Sequence, residues 1–168
     1  MNSRQATGEQ FYPAVGFHFN VRLVSDNRPS PGGPGTDIDN SFKEVSGLSV
    51  NIKSEELTEG GENRFSYRVP GRTEYKNLVL KRGYISQKSE MANWVISQME
   101  STLAEKVSTK HIMVSLLDSE SEILSSWFFY NAWPVKSDLS SLDAMENKYL
   151  VETMEFSYLY FEHMKKNG

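Results

Sequence analysis

Between residues 16 and 25, Phe17, Phe19, Val21 and Leu23 alternate with His18, Asn20 and Arg22. That period of two marks a strand with one buried face. The tract NRPSPGGPGTDIDN follows, and its prolines and glycines suit neither helix nor ladder. It predicts an exposed loop over about 26–41, after a flexible N-terminus over about 1–12. A second strand region runs from Phe42 to Leu57, with Leu48, Val50 and Ile52 on one face and Val45 of opposite parity. A bulge or bend at Ser46-Gly47 accounts for the change of phase. TEGGEN, Thr58 to Asn63, interrupts the pattern. A short strand over 65–69 is expected to end in a type II turn at Pro70-Gly71, and 77–85 reads as another strand.

One helix is predicted over about 89–107. Ser89 can cap it, and Met91, Val95, Met99, Leu103 and Val107 recur every four residues, with Trp94 beside them. Three further strands are expected over 111–117, 123–132 and 149–161. The last is the longest, with Met154, Phe156, Tyr158 and Tyr160 on one face. The sum is a mainly β fold, a β-barrel or two-sheet sandwich with one surface α-helix, in a single domain over 1–168.

The segment SSWFFYNAW puts Trp127 and Phe129 on one face and Phe128 and Tyr130 on the other. A strand apolar on both faces needs cover on both. One helix cannot cover every such strand, so long loops or a neighbouring subunit must contribute.

Composition narrows the chemistry. The chain has no cysteine, which removes thiolate metal sites, cysteine nucleophiles and disulfides, and fits folding in a reducing cytoplasm. A formal charge of −4 argues against a general nucleic-acid binder, although a local basic patch remains compatible with it. No apolar stretch is long enough for a membrane-spanning helix, and the N-terminus lacks the apolar run of a signal peptide. His18, His111 and His163 show no metal-ligand spacing. Glu55 and Glu56 point to opposite faces of a strand, as do Glu152 and Glu155. No nucleophile elbow, phosphate-binding loop or dinucleotide fingerprint occurs. No catalytic, cofactor-binding or metal residue is therefore assigned. EGGEN reads equally well as a tight turn or as a subunit contact.

The order of segments carries more information than any one of them. FKEVSGLSV is followed by EELTEGGEN, YRVPGRTEYKNLVLKRG, a tryptophan-bearing helix, WFFYNAWPVK and NKYLVETMEFSYLYF. This succession, from Val15 to Phe161, resembles the inner-tube proteins of contractile phage tails and of extracellular contractile injection systems. The resemblance implies a non-enzymatic, barrel-like subunit that forms hexameric rings, stacked as a hollow tube inside a sheath. It places Thr58, Glu59, Gly60, Gly61, Glu62, Asn63, Arg64 and Arg68 near contacts between subunits or successive rings. The implied partners are further copies of the chain and the sheath and baseplate proteins, with cargo or DNA passing through the lumen. Assembly would take place in the bacterial cytoplasm, before release as part of a tail or particle. The proline-glycine insert at Pro29 to Gly35 departs from the pattern and keeps a baseplate or tube-initiator paralogue as the alternative. A small-ligand-binding β-barrel and an enzyme built from dispersed carboxylates are the more distant readings.

Overall fold

The structure is a computed structural model, which describes residues 17–24, 38–39, 42–57, 66–83, 89–101, 107–140 and 150–165. Ten strands and one helix occur in the order β1 (His18–Val24), β2 (Ile38–Asp39), β3 (Phe42–Ser46), β4 (Val50–Leu57), β5 (Tyr67–Tyr75), β6 (Leu78–Gly83), α1 (Glu90–Glu100), β7 (Lys110–Leu117), β8 (Ile123–Leu139), β9 (Val151–Ser157) and β10 (Phe161–Lys165). Eight strands form one antiparallel sheet in the order β2-β1-β7-β8-β9-β6-β3, with β10 also on β8. Among the described residues, β4 and β5 pair only with each other.

The long strand β8 joins the two halves of the sheet. Its first half lies between β7 and β10, and its second half pairs with β9. The register slips between the pairs Ile112↔Phe129 and Lys110↔Ala132, so Tyr130 and Asn131 together oppose His111. This is a bulge, and Asn131 sits in it with a φ of 47°. A second slip falls between Pro134 and Lys136. The two bends fold the sheet over, and β3 at one end comes to lie beside β1 near the other. No ladder joins β3 to β1 among the described residues. The result is a two-layer sandwich curled toward a barrel and left open.

The core lies between these layers. Val21 and Leu23 of β1, Leu78 and Leu80 of β6, Ile112 and Val114 of β7, Phe129 of β8, and Met154 and Phe156 of β9 are all buried in it. The helix closes one side with Met91, Trp94 and Val95. The Trp94 ring stacks on Phe156 at 5.7 Å, and its N–H donates to the Ser108 carbonyl at 3.1 Å. Burying each large side chain contributes on the order of 1.5–3 kcal/mol, and the alternation along β1, β6 and β9 secures this.

Ser89 caps the helix as expected, accepting from the Ala92 N–H at 3.1 Å. The buried Arg82 guanidinium ties that cap to the sheet. It donates to Glu152 at 2.7 Å and to the Ser89 hydroxyl at 3.3 Å, and lies over the Phe42 ring at 5.2 Å.

Several expectations need correction. The helix ends at Glu100, not near 107, because Ser101 turns extended and its hydroxyl donates to the Gln98 carbonyl. Met99 and Val107 are accordingly exposed, while Leu103 lies outside the described residues. Pro70-Gly71 is no terminating turn: β5 continues to Tyr75, with Pro70 opposite Ser54. In a two-stranded ribbon each strand has one free edge, so a missing N–H is tolerated there. Gly47 does not bend one strand but separates β3 from β4, at a φ of 89° where a Cβ would strike the Asn77 backbone. The strand expected over 123–132 runs on to Leu139 past Pro134, again where only one neighbour is present. The strand expected over 149–161 is two strands, and Tyr160 leaves the buried row that holds Met154, Phe156 and Tyr158. Within the tract assigned to a loop over 26–41, Ile38–Asp39 pairs with β1, while 26–37, 40 and 41 lie outside the described residues, as does the N-terminus over 1–12. Phe128 and Phe129 are both fully buried within the single chain, so neither awaits a neighbour.

Replacing Arg82 with Met should destabilise the fold by about 3–5 kcal/mol, because it leaves the Glu152 carboxylate largely buried without its partner. Denaturant unfolding at neutral pH checks this. A loss below about 1 kcal/mol would show that the pair contributes only as a surface ion pair does.

Candidate assembly surface

The β4–β5 ribbon exposes the large apolar side chains of Val50, Ile52, Leu57, Tyr67 and Tyr75. Every residue of β4 is exposed. Successive side chains of a strand alternate between faces, and the register assigns those of β5 to match. Val50 pairs with Tyr75, Ile52 with Thr73, Ser54 with Pro70 and Glu56 with Arg68 on one face. Glu55 pairs with Val69 and Leu57 with Tyr67 on the other, which also holds Asn51 and Glu74. The slip between Ile52 and Ser54 places the extra residue in β5, beside Gly71. Added bulk there would press on the Glu55 side chain and the Lys53 carbonyl.

The ribbon is thus amphipathic along a diagonal. Near its base one face is apolar, with Val50 and Ile52 at 50% and 65% exposure, and the opposite face carries the Lys53–Glu74 ion pair. Toward its tip the sides exchange. Leu57 and Tyr67, at 53% and 50% exposure, occupy the second face, and Glu56 with Arg68 at 3.1 Å occupies the first. No single flat surface can cover both apolar patches.

The base is held by an aromatic cluster. Tyr75 packs on Tyr158 and Phe161 with ring centroids 5.9 and 5.7 Å away, and Tyr158 in turn meets Phe129 of the core at 4.9 Å. The Tyr158 hydroxyl donates to the Lys76 carbonyl at 2.8 Å. Burial, with a smaller contribution from Tyr75, pushes this phenol up to about 12, so it stays a donor across the physiological range. Asn77 completes the anchor by donating to Glu155 at 2.7 Å.

Of the residues singled out from sequence, Arg68 lies on the ribbon and pairs with Glu56. Thr58, Glu59, Gly60, Gly61, Glu62, Asn63 and Arg64 lie outside the described residues. Sequence reading placed the candidate contact at that segment and at Arg68, and did not single out the apolar side chains of β4. The alternation of Val50 with Ile52 was visible as one face of a strand, but its exposure was not. The exposed Ile96, Met99 and Val107 around the end of α1 were missed in the same way.

His163 lies in β10, stacked on Trp127 at 5.2 Å and bonded to Ser125. Among the described residues no three His, Asp or Glu side chains gather as a metal site would require, and no helix is long and apolar enough to cross a membrane.

Residues 15–162 match the family described as T4-like virus tail tube protein gp19. The chain belongs to that tail tube family. No curated protein sequence matches it at a significant level. Among solved structures, a chain of the six-fold symmetrised anti-feeding prophage baseplate is 26% identical, with a TM-score of 0.72, covering 93% of this chain and 98% of that one. A chain of the sheath-tube complex of an extracellular contractile injection system, PVC, is 24% identical with a TM-score of 0.70, covering 96% and 99%. Hcp1 from Salmonella typhimurium shares the fold at 9% identity, with a TM-score of 0.54 and coverage of 90% and 87%. The tail tube protein described here is therefore a structural component of the tube of a contractile system, and the ribbon is its most exposed strand pair.

Replacing Tyr158 with Phe removes the donor to the Lys76 carbonyl and should cost about 0.5–1.5 kcal/mol. Hydrogen exchange should rise in β4 and β5 and stay level in α1. A uniform rise over the whole chain would mean that the hydroxyl stabilises the core and does not anchor the ribbon.

Proposed function

We propose that this tail tube protein assembles into hexameric rings that stack as the inner tube of a contractile tail or injection particle. The observation that carries the reading is the diagonal ribbon. Its two apolar patches face opposite ways, so its burial calls for two different surfaces, as when one arm contacts neighbours within a ring and in the next. A heterologous contact of this kind closes into a ring when the rotation allows, and repeats along an axis when it does not. The similarity to a chain of a six-fold symmetrised baseplate supports six as the ring number.

The segment Thr58 to Arg64, between β4 and β5 in sequence, makes the contact between rings in this reading. The sheath and baseplate are the outer and end partners, and cargo or DNA passes through the lumen. Assembly takes place in the cytoplasm before the particle is released. Six copies at −4 each carry −24, part of which faces the lumen and keeps acidic cargo from adhering. A neutral or basic lumen in a reconstruction of the tube overturns that last point.

Negative-stain electron microscopy with light scattering on the purified chain tests the proposal. Rings or hollow tubes of uniform width are the expected result. A clean monomer at high concentration overturns the reading as main tube subunit and favours an initiator that needs a partner template.

The double substitution Ile52→Glu and Leu57→Glu should abolish assembly while shifting stability by less than about 0.5 kcal/mol, because both side chains are exposed in the single chain. Sedimentation and thermal unfolding separate the two effects. Normal tubes from this variant would remove the ribbon from the interface. Substituting Gly60 and Gly61 with bulky residues should likewise impair assembly and leave the circular dichroism spectrum intact. Tubes of ordinary length would exclude that segment from the contact.

A further inference from the structure

The bulge in β8 leaves the Asn131 N–H outside the sheet ladders, and this donor is met by a side chain: it donates to Nδ1 of His111 at 3.1 Å. Asn131 marks the point where β8 passes from one layer to the other, and its φ of 47° is a conformation that non-glycine residues adopt at a cost. We propose that His111 is an acid-sensitive latch on the junction of the two layers, holding the Asn131 amide when neutral and releasing it when protonated. The inference is independent of ring formation and stands on the single chain.

To accept from Asn131, Nδ1 must carry no proton, so the neutral ring carries its proton on Nε2. Protonation turns Nδ1 into a second donor facing a donor. The ring cannot turn aside easily, because it is buried and lies flat on Phe128 at 5.4 Å and edge-on to Tyr130 at 5.7 Å. Those two rings also pack on each other at 4.7 Å.

The charged groups around it do little to favour an imidazolium. From α1, Glu90 borders the same cavity of about 280 Å³ as His111, but it is engaged by Lys110 at 3.2 Å. From β10, Glu162 accepts from the Tyr130 hydroxyl at 3.0 Å. That phenol is pushed up to about 12, by burial first and then by Glu162, and so remains neutral. From β1, Val24 is the register partner of His111, and Arg22 lies on the same face one pair along. Of the cations, Lys110 is engaged with Glu90, and the Arg22 guanidinium donates to Sδ of Met113. Tyr160 stacks on Tyr130 at 4.3 Å on the far side.

Burial lowers the His111 value below the ordinary 6.5. A group with a depressed value in the folded state contributes its stability above the unfolded value and loses it as pH falls through the folded one. The latch is therefore closed at neutral pH and opens on the acid side of 6.5. Opening frees Tyr130 as well as Asn131. Tyr130 exchanges backbone bonds with Leu159 and Tyr160 at 3.0 Å, next to the Tyr158 anchor of the ribbon.

His111→Asn puts an amide oxygen in place of Nδ1 and cannot titrate. Thermal unfolding of the full chain, at one protein concentration, would be followed from about pH 7.5 to about pH 4.5. The wild type should lose about 2–4 °C more than the variant over this window. Parallel curves overturn the proposal. Hydrogen exchange of the wild type, corrected for intrinsic rates, gives an answer even if the variant does not fold. Peptides covering Tyr130 to Ala132 should lose protection at the acid end while those in the middle of β7 keep it. Equal protection at both ends of the window also overturns the latch.

Discussion

The strand β8 has to serve two layers at once, and most of the fold follows from how it does so. A straight strand of its length would place all its neighbours in one plane and leave one face of the sheet without a facing layer. The bulge at Tyr130-Asn131 and the slip before Lys136 turn the chain, so that β7 and β10 pair with its first half and β9 with its second. Only then can Val21, Ile112 and Phe129 face Leu80, Met154 and Phe156 across a common interior. The bend costs backbone strain and a donor lost from the ladder. Both are offset locally: Asn tolerates a positive φ better than most residues, and His111 supplies the missing acceptor.

The same strand fixes the direction of the β4–β5 ribbon. An isolated two-stranded ribbon is marginal in water, and among the described residues β4 and β5 have no other strand beside them. Their base is nevertheless held by Tyr75, through Tyr158 and Phe161, to Phe129 of β8. Three rings and one hydroxyl bond transmit the orientation of the core to a segment that is itself exposed. The division of roles is physical. Burial within the chain sets where the arm points, while the arm's own apolar residues are left for other surfaces to cover, as the tail tube family would require.

Much of this fold was legible because period-two alternation survives in strands buried on one face. The strands β1, β6, β7 and β9 read directly, and Ser89 was identified as a cap from its residue type and the apolar run that follows. What failed, failed for identifiable reasons. Pro70 was read as part of a turn and the strand before Pro134 was ended at 132, yet both prolines lie where a strand has an open edge, and sequence does not show edges. Val107 kept the helical period after the helix had ended, because the extended turn at Ser101 overrides a pattern that propensity alone would continue. Val50 and Ile52 alternate as core residues do. Whether such a row faces an interior or another molecule depends on what the topology places opposite, and here it places nothing within the described chain. The resemblance to tube proteins pointed to Thr58 to Arg64 and Arg68; of these Arg68 lies on β5, and the others lie outside the described residues.

An exposed ribbon with apolar side chains is also a hazard, since its edges can pair with any other strand. The arrangement of charge limits this. At the base, Lys53 and Glu74 sit across from the apolar face; at the tip, Glu56 and Arg68 do. Each level of the ribbon therefore has one side that resists burial and one that favours it. Two ribbons laid together in parallel could bury apolar surface at one level only by burying ion pairs at the other, and desolvating a pair without new partners costs several kcal/mol per ion. A partner surface with apolar ground on one side at the base and on the opposite side at the tip meets no such penalty. The exposed pairs add little to stability. Their contribution is to selectivity: they make unspecific stacking of ribbons unfavourable.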